Sequence, residues 1–341
     1  MDEIIIKEVI SESRWEDFLK DRPEANFLQS WYWGEFHKSY GHSIQRSGFF
    51  KRETLVGVML SIVENAKRGR YLTVPGGPII DWENASLVDK AMVEMKRIAL
   101  AKACIFVRVR PQLISNNFSK NLFKKHGFVS APMHFHAELT TQLDITKPED
   151  ELTANMRKAT RYEIRKAEKI GIQIKTTDNP GAIKAFYDLE MLTAKRHGFV
   201  PFSYQFLYDQ FKAFSIVNRV LLYTAEFENK LLAQAYIIFY GQEAAYHYGA
   251  STEEGRKYPG AYLIQWEAIK EAKNRGLSRY NFWGVAPSDQ TAHRFYGVSV
   301  FKRGFGGFDY EYLHAQDQVI NKPRYIINLA IEKARKRIRR V

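Results

Sequence analysis

The chain of 341 residues contains one cysteine. A single thiol cannot build an intrachain disulfide framework, so a stapled secreted scaffold is excluded and a reducing compartment fits. Cys104 sits in the apolar run ACIFVRV, the setting of a buried small hydrophobe. A reactive thiol wants basic, partly exposed surroundings. Long apolar runs are missing as well. None approaches the roughly 18 residues that cross a bilayer, so no transmembrane helix is expected. The N-terminus, MDEIIIKEVISESRWEDF, is acidic and amphipathic, which is not the pattern of a signal peptide. A cytoplasmic protein is the expectation. Common catalytic signatures are absent too: there is no GxxxxGK[ST] loop, no HExxH, no CxxC and no GxSxG. The nine histidines do not cluster at ligand spacings. His134 and His136, in HFH, would share one face of a strand and read as structural or substrate-facing groups, so no metal is expected.

What is present is a large apolar fraction, 45%, with 14% aromatic residues. That supplies a substantial core, and the length suggests two domains of about 150 residues each. The net charge of +13 favours polyanionic partners: RNA, phosphorylated precursors or an anionic membrane face. Two stretches hold much of it. Residues 156–169, MRKATRYEIRKAEK, and 332–340, EKARKRIRR, carry six basic side chains each. Either alone reads as a solvated helix face; two in one chain open a second reading, a field that binds an anion.

A degenerate internal repeat organises the chain. FFKRETLVGVMLSIV (49–63) predicts two strands around a polar turn, and RYLTVPGG (70–77) a third strand. ASLVDKAMVEMKRIALAKA (85–103) predicts a helix and CIFVRVRP (104–111) a buried strand. The order recurs in LLYTAEFENKLLAQAYIIFY (221–240), AAYHYGAS (244–251), GAYLIQWEAIKEAKNRG (260–276) and SRYNFWGV (278–285). Such a β-β-β-α-β order describes a mixed α/β sheet crossed by a helix. It resembles the core of the N-acetyltransferase-like (GNAT) fold, and two units would stand in tandem. The polar stretch LDITKPEDEL marks the expected boundary. Domain 1 is expected over 1–145, completed by a C-terminal helix in 315–341, and domain 2 over 146–314. A GNAT enzyme cradles a pyrophosphate with RxxGxG/A at a helix start. Here the turn is RKYPGA (256–261), where proline replaces the first glycine and removes a donor. Use of acetyl-CoA is therefore disfavoured, and a different acyl donor is expected on the same fold.

Further motifs narrow the class. YNFWGVAP (280–287), HRFYGVSVFKRGFGG (293–307) and EYLHAQD (311–317) resemble the C-terminal signature of the Fem family, the tRNA-dependent aminoacyltransferases that build peptidoglycan cross-bridges. FLQSWYWGEFHKSYG (27–41), MRKATRYEIRKAEKIGIQI (156–174) and YHYGAS (246–251) are similar to its N-terminal motif, its basic helix and its central strand. The resemblance runs through nearly the whole chain. It implies tandem GNAT-like domains and transfer of an amino acid from aminoacyl-tRNA to an amine of the stem peptide. The acceptor is a UDP-muramyl pentapeptide or its lipid-linked form. No cofactor is needed beyond aminoacyl-tRNA as co-substrate. Some members carry a coiled-coil arm; this chain lacks one, like the compact branch, and a monomer is expected.

The resemblance also assigns residues. Lys302, with Phe301, matches the pair that stabilises the developing oxyanion and positions the tRNA-borne ester. Tyr248 matches a precursor-contacting tyrosine. His37 or Lys38 aligns with a phosphate-binding lysine, and Trp33 belongs to the same substrate-binding motif. An arginine and a tyrosine four residues later are expected near 202–206; Phe202 and Phe206 stand there, with Tyr204 and Tyr208 close by. The absent arginine points to a lipid-linked or otherwise altered acceptor. Arg303, Arg157, Arg161 and Arg165 are candidate tRNA contacts. The basic C-terminal helix reads as a solvated face, a tRNA contact or a peripheral contact with the inner membrane face. No general base stands out: His293, Asp289 and Glu311 lie near the signature, and substrate-assisted transfer is the alternative. Two other functions stay open, a CoA-dependent N-acyltransferase acting on a small amine and a non-enzymatic RNA-binding protein. FYGVSVFKRGFGG itself reads either as a hairpin with solvated charges or as a site wall that presents one cation. In a regular strand, alternation would send Phe301 and Lys302 to opposite faces, unless Gly304, Gly306 and Gly307 allow a break.

Overall fold

The computed structural model describes residues 3–133 and 136–339. In chain order the first elements are β1 (Ile4–Glu8), α1 (Glu12–Lys20), α2 (Trp31–Ser39), β2 (Ser43–Lys51), β3 (Thr54–Ala66), β4 (Gly69–Pro75) and β5 (Ile79–Ile80). They continue with α3 (Ala85–Ala101), β6 (Phe106–Arg110), α4 (Asn117–Lys125), β7 (Val129–Ser130), β8 (Leu139–Asp144), α5 (Glu149–Asn155), α6 (Lys158–Ile170) and β9 (Gln173–Thr177). Next come α7 (Ile183–His197), α8 (Tyr204–Ser215), β10 (Val220–Phe227), β11 (Lys230–Tyr240), β12 (Glu243–Ser251) and α9 (Gly260–Asn274). The chain closes with β13 (Arg279–Gly284), α10 (Tyr296–Arg303), β14 (Phe308–Glu311), β15 (Gln316–Val319) and α11 (Lys322–Arg339).

Two compact units result: residues 1–138 with 311–341, and residues 139–310. In the first, the sheet order is β1-β2-β3-β4-β6-β15-β7, with β5 on β3. β4 and β6 are parallel, and α3 is the crossover between them. Leu87, Val88, Ala91, Met92, Met95, Ile98 and Ala99 of α3 are buried on one stripe against Leu72, Val74, Val107 and Val109. The stripe follows the helical period, and burial of such an apolar face is what holds a crossover helix to its sheet. The last strand of this unit, β15, comes from the far end of the chain and lies between β6 and β7.

A buried ionic group fastens that insertion. Arg108 of β6 donates twice to Asp317 of β15, at 2.7 and 2.8 Å, and once to Glu332 of α11 at 3.0 Å. The Tyr325 hydroxyl donates to the same Asp317 at 3.0 Å. Asp317 is 0% exposed. Tyr325, Phe106 and Ile105 form a small apolar cluster beside it, flanked by Leu329. The apolar positions of α11 are thus split between this contact and solvent, where Ile326 and Ile327 stand exposed.

The second unit repeats the plan with order β14-β8-β13-β12-β11-β10-β9. Again one pair, β12 with β13, is parallel, and α9 crosses between them. Leu263, Ile264, Ala268, Ile269 and Ala272 of α9 pack on Tyr223, Ala225, Ala235, Ile237 and Tyr280. Helix α6 is amphipathic for the same reason: Thr160, Ile164 and Ala167 are buried and its basic residues face outward. It ends on Gly171 at φ 84°, a left-handed cap that glycine adopts without Cβ strain. No helix of the described residues is long and apolar enough to cross a membrane.

Candidate active site

The parallel pair of the second unit does not stay paired. β12 keeps register with β13 for three positions, Glu243–Ala245 against Arg279–Asn281. Beyond them the strands have no further pairing with each other. A bulge in β12 helps: Tyr236 pairs with Tyr248 and Ile237 with Tyr246, so His247 is the extra residue. On the other strand Trp283 takes φ 63°, a strained value for a bulky side chain. The Asn281 side chain accepts from the Trp283 amide at 2.8 Å and holds that turn. The His247 and Trp283 rings meet edge to face at 5.4 Å. Gly249 completes the wall, because a Cβ there would run into the Tyr246 hydroxyl.

Lys302 reaches into this opening. Its ammonium donates to the Gly284 carbonyl at the end of β13, at 2.7 Å, and lies 5.4 Å over the Tyr246 ring of β12. Lys302 is only 9% exposed, and burial pulls its pKa down to about 7. The segment that delivers it is the helix α10, not a strand. Helical spacing turns Ser299 and Lys302 to one buried face, three residues apart. The Ser299 hydroxyl accepts from the Ala286 amide at 2.7 Å and so pins α10 beside the end of β13. Phe301 points elsewhere, edge-on to Tyr262 at 4.8 Å and to Phe305 at 5.4 Å. It is a packing residue that fixes the helix; helical spacing keeps it off the face of Lys302, and no break brings the two side chains together. Gly306 and Gly307, at φ 89° and 94°, act after the helix; at Gly307 a Cβ would strike the Gln142 carbonyl.

Arg303 is committed as well. It donates to Asp309 at 2.7 Å and to the Ala286 carbonyl at 2.6 Å, so a tRNA phosphate would have to displace a formed ion pair. Arg161 donates to the carbonyls of Ala154 and Met156 and ties the α5–α6 turn. Arg157 and Arg165 are exposed and remain candidates for an anion. The side chains of 335–341, which include most of the second basic stretch, lie outside the described residues, as does His134.

Beside β12 the structure gathers aromatic residues that the sequence scatters. Phe202 stacks on Phe206 at 4.4 Å and meets Tyr248 edge-on at 5.9 Å. Phe202 is 48% exposed, so an apolar face is presented where an arginine was expected. Tyr204 and Tyr208 of α8 are neighbours at 5.7 Å, but Tyr204 turns to Tyr187 of α7. Behind Tyr248 lies a carboxyl that motif reading missed, Glu190 of α7. It is buried, its Oε2 has no hydrogen-bond partner among the described residues, and desolvation raises its pKa to about 7. Burial holds the Tyr248 phenol un-ionised, and the Glu190 charge adds to that in a smaller way. No local motif surrounds Glu190; only the packing of α7 on β12 reveals it. His293, Asp289 and Glu311 are exposed or half-exposed residues.

In the first unit the N-terminal motif is largely core. Trp33 is buried against Phe27, Phe36 and His37, edge to face at 5.1 to 5.4 Å, so it is a structural residue and not a substrate contact. His37 is buried too, and desolvation lowers its pKa to about 3. A neutral imidazole cannot take the role of a phosphate-binding cation. Lys38 is exposed and pairs with Glu35 at 3.0 Å, so it is the available cation of this motif.

A tandem pair of mixed sheets, each with one parallel pair crossed by a helix, defines a tandem GNAT-like fold. A tandem GNAT protein from the clavulanic acid pathway has the same fold, with a TM-score of 0.59 and 9% identity over 93% of this chain and 98% of that one. The crystal structure of FemX fits more closely, with a TM-score of 0.85 and 18% identity over 96% of this chain and all (100%) of the other. The chain belongs to the FemAB family, whose model matches residues 10–131, 126–232 and 222–333. A lipid II:glycine glycyltransferase of Staphylococcus aureus (strain MRSA252) is 21% identical over 93% of both chains. Its counterpart in Staphylococcus epidermidis (strain ATCC 12228) is 22% identical over 96% of this chain and 95% of its own. The protein is an aminoacyltransferase.

Proposed function

We propose that this aminoacyltransferase moves an amino acid from aminoacyl-tRNA to the amine of a peptidoglycan precursor stem peptide, forming part of a cross-bridge. The observation that carries the reading is the buried ammonium of Lys302, the one buried lysine among the described residues, between the diverging ends of β12 and β13. Aminolysis of an ester passes through a tetrahedral oxyanion, and a fixed cation in a dry pocket stabilises that charge more than water does. The acceptor amine attacks the ester carbonyl and Lys302 holds the oxyanion. Collapse then breaks the ester bond and releases the tRNA 3′-terminal hydroxyl. The proton lost by the amine goes to Glu190, whose raised pKa suits a base working near neutrality, and Glu190 returns it to the departing 3′ oxygen, which leaves as the hydroxyl. The excess of positive charge supports a polyanionic donor, and the named substrate of the glycyltransferase relatives supports a lipid-linked acceptor. The exposed Phe202–Phe206 stack, uncharged where a diphosphate-binding arginine was expected, favours that acceptor over a soluble nucleotide-linked one. Parallel transfer reactions with the two acceptors at equal concentration test this, with faster product formation on the lipid-linked substrate as the expected result. A faster reaction on the soluble one would reverse the assignment.

The two groups near 7 set a pH dependence. Glu190 must be ionised to accept a proton, so the rate rises with pH through about 7. Lys302 must be protonated to hold an oxyanion, so the rate falls as pH passes its own value of about 7. A narrow bell centred near neutrality is expected, its acid limb set by Glu190 and its alkaline limb by Lys302. Glu190→Gln should lower the rate and remove the acid limb while leaving the alkaline one. A rate profile of the variant that kept both limbs would remove Glu190 from the mechanism.

A further inference from the structure

A second cluster, in the first unit, has no part in this chemistry. Helix α2 ends with two hydrogen bonds, His42 N to His37 O at 2.8 Å and Gly41 N to Lys38 O at 3.0 Å, across Gly41 at φ 93°. That is the pattern of a Schellman cap, which brings the third residue from the helix end against the second residue beyond the cap. An apolar pair usually meets there. Here it is two imidazoles, His37 and His42, whose Nδ1 atoms lie 2.8 Å apart. β2 starts at the next residue, and its pairing of Ser43 with Val63 sets Glu64 of β3 beside His42. The Glu64 carboxylate lies 3.6 Å from His42 Nε2. Among the described residues His42 is the only basic group within ion-pair distance of Glu64. One donor atom from each of the three side chains falls within 4.8 Å of the other two.

We propose that His37, His42 and Glu64 form a binding site for one borderline divalent metal ion of the zinc class. Two imidazoles and one carboxylate are a donor set that suits Zn²⁺ and leaves a fourth position for water or another oxygen ligand. The electrostatics agree. No lysine or arginine among the described residues lies within ion-pair distance of the half-buried Glu64 carboxyl, which leaves it without a full positive charge beside it. A divalent cation supplies that charge. Among the described residues, the phenols of Tyr40, edge-on to His42 at 5.4 Å, and Tyr71, which is paired with Glu64 across β3 and β4, also stand beside the cluster. Neither brings a competing cation. The ion would clamp the turn after α2 onto β3 and fix the segment that carries Lys38.

The test uses the full chain without a histidine tag, purified without chelator, with bound metal counted by inductively coupled plasma mass spectrometry. About one zinc per chain is expected after zinc loading and gel filtration. Cobalt added to chelator-treated protein should give the visible bands of a low-coordinate site, and zinc should raise the melting temperature reversibly. The near-isosteric Glu64→Gln variant should bind at least about 100-fold more weakly, and His42→Ala should lose the cobalt bands. Both variants are checked for native circular dichroism, and a variant that fails to fold leaves the native chain's metal count and melting shift to decide. A native chain that retains no stoichiometric zinc or cobalt and shows no melting shift overturns the proposal, and the cluster is then a hydrogen-bonded imidazole pair beside a carboxylate. Equal binding by Glu64→Gln overturns it too.

Discussion

Lys302→Ala is expected to lower the rate of aminoacyl transfer by at least about 100-fold without unfolding the protein, since removing one preorganised oxyanion donor costs roughly 3–4 kcal/mol of transition-state stabilisation. The loss should appear in kcat more than in KM, because the ammonium meets its full partner only when the oxyanion forms. Lys302→Arg should rescue poorly: a planar fork cannot sit both on the Gly284 carbonyl and over the Tyr246 ring as a point cation does. Stability should move the other way. Burial holds the folded-state pKa of Lys302 near 7, far below that of an exposed lysine. Unfolding therefore takes up a proton between about 7 and the ordinary lysine range, and native stability rises with pH across that window. Lys302→Met should flatten that slope and raise the melting temperature at pH 6, as expected of a residue kept for function at some cost in stability. A melting temperature that fell together with activity would instead make Lys302 a structural residue.

Asp317→Ala is expected to destabilise the first unit by about 3–5 kcal/mol, because it leaves the buried Arg108 guanidinium without its bidentate partner. Glu332 would remain as its one carboxylate, and the Tyr325 hydroxyl would lose its acceptor. For a unit of this size the melting transition should drop by about 10 °C. The control is Arg108→Met with Asp317→Leu and Glu332→Gln, which removes all three charges together and should cost much less. If the single variant melts like the parent, the ionic group does not hold β15 and α11 in the first unit.

Much of this architecture is legible in the sequence. Strand, turn, strand, strand, helix and strand recur in both halves, because half-buried strands and crossover helices impose periods of about 2 and 3.6 residues. α3 and α9 are plain on that ground. The segment 296–303 is misread because YGVSVFK combines β-branched and aromatic residues with apparent alternation. Tertiary packing of Ser299 and Lys302 overrides that local preference, and a helix forms. Site residues that depend on contacts distant in sequence are harder to read. Glu190 carries no motif and acquires its character from desolvation behind Tyr248. His37 and His42 are five residues apart, outside the three- or four-residue spacing of helical ligand pairs, and meet only through a helix cap. Glu64 joins them through the register of β2 on β3. Conversely, Trp33 and Arg303 look exposed to chemistry in the sequence and prove to be occupied by the fold, one in the core and one with Asp309.

The most direct test is the mass of the acceptor itself. Purified protein is incubated with a lipid-linked or UDP-linked muramyl pentapeptide and a set of charged tRNAs that includes glycyl-tRNA, and the acceptor is weighed by mass spectrometry. The expected result is a gain of one or more amino-acid residues that depends on charged tRNA and is at least about 100-fold slower with Lys302→Ala. An acceptor whose mass stays unchanged with every common charged tRNA would contradict the account.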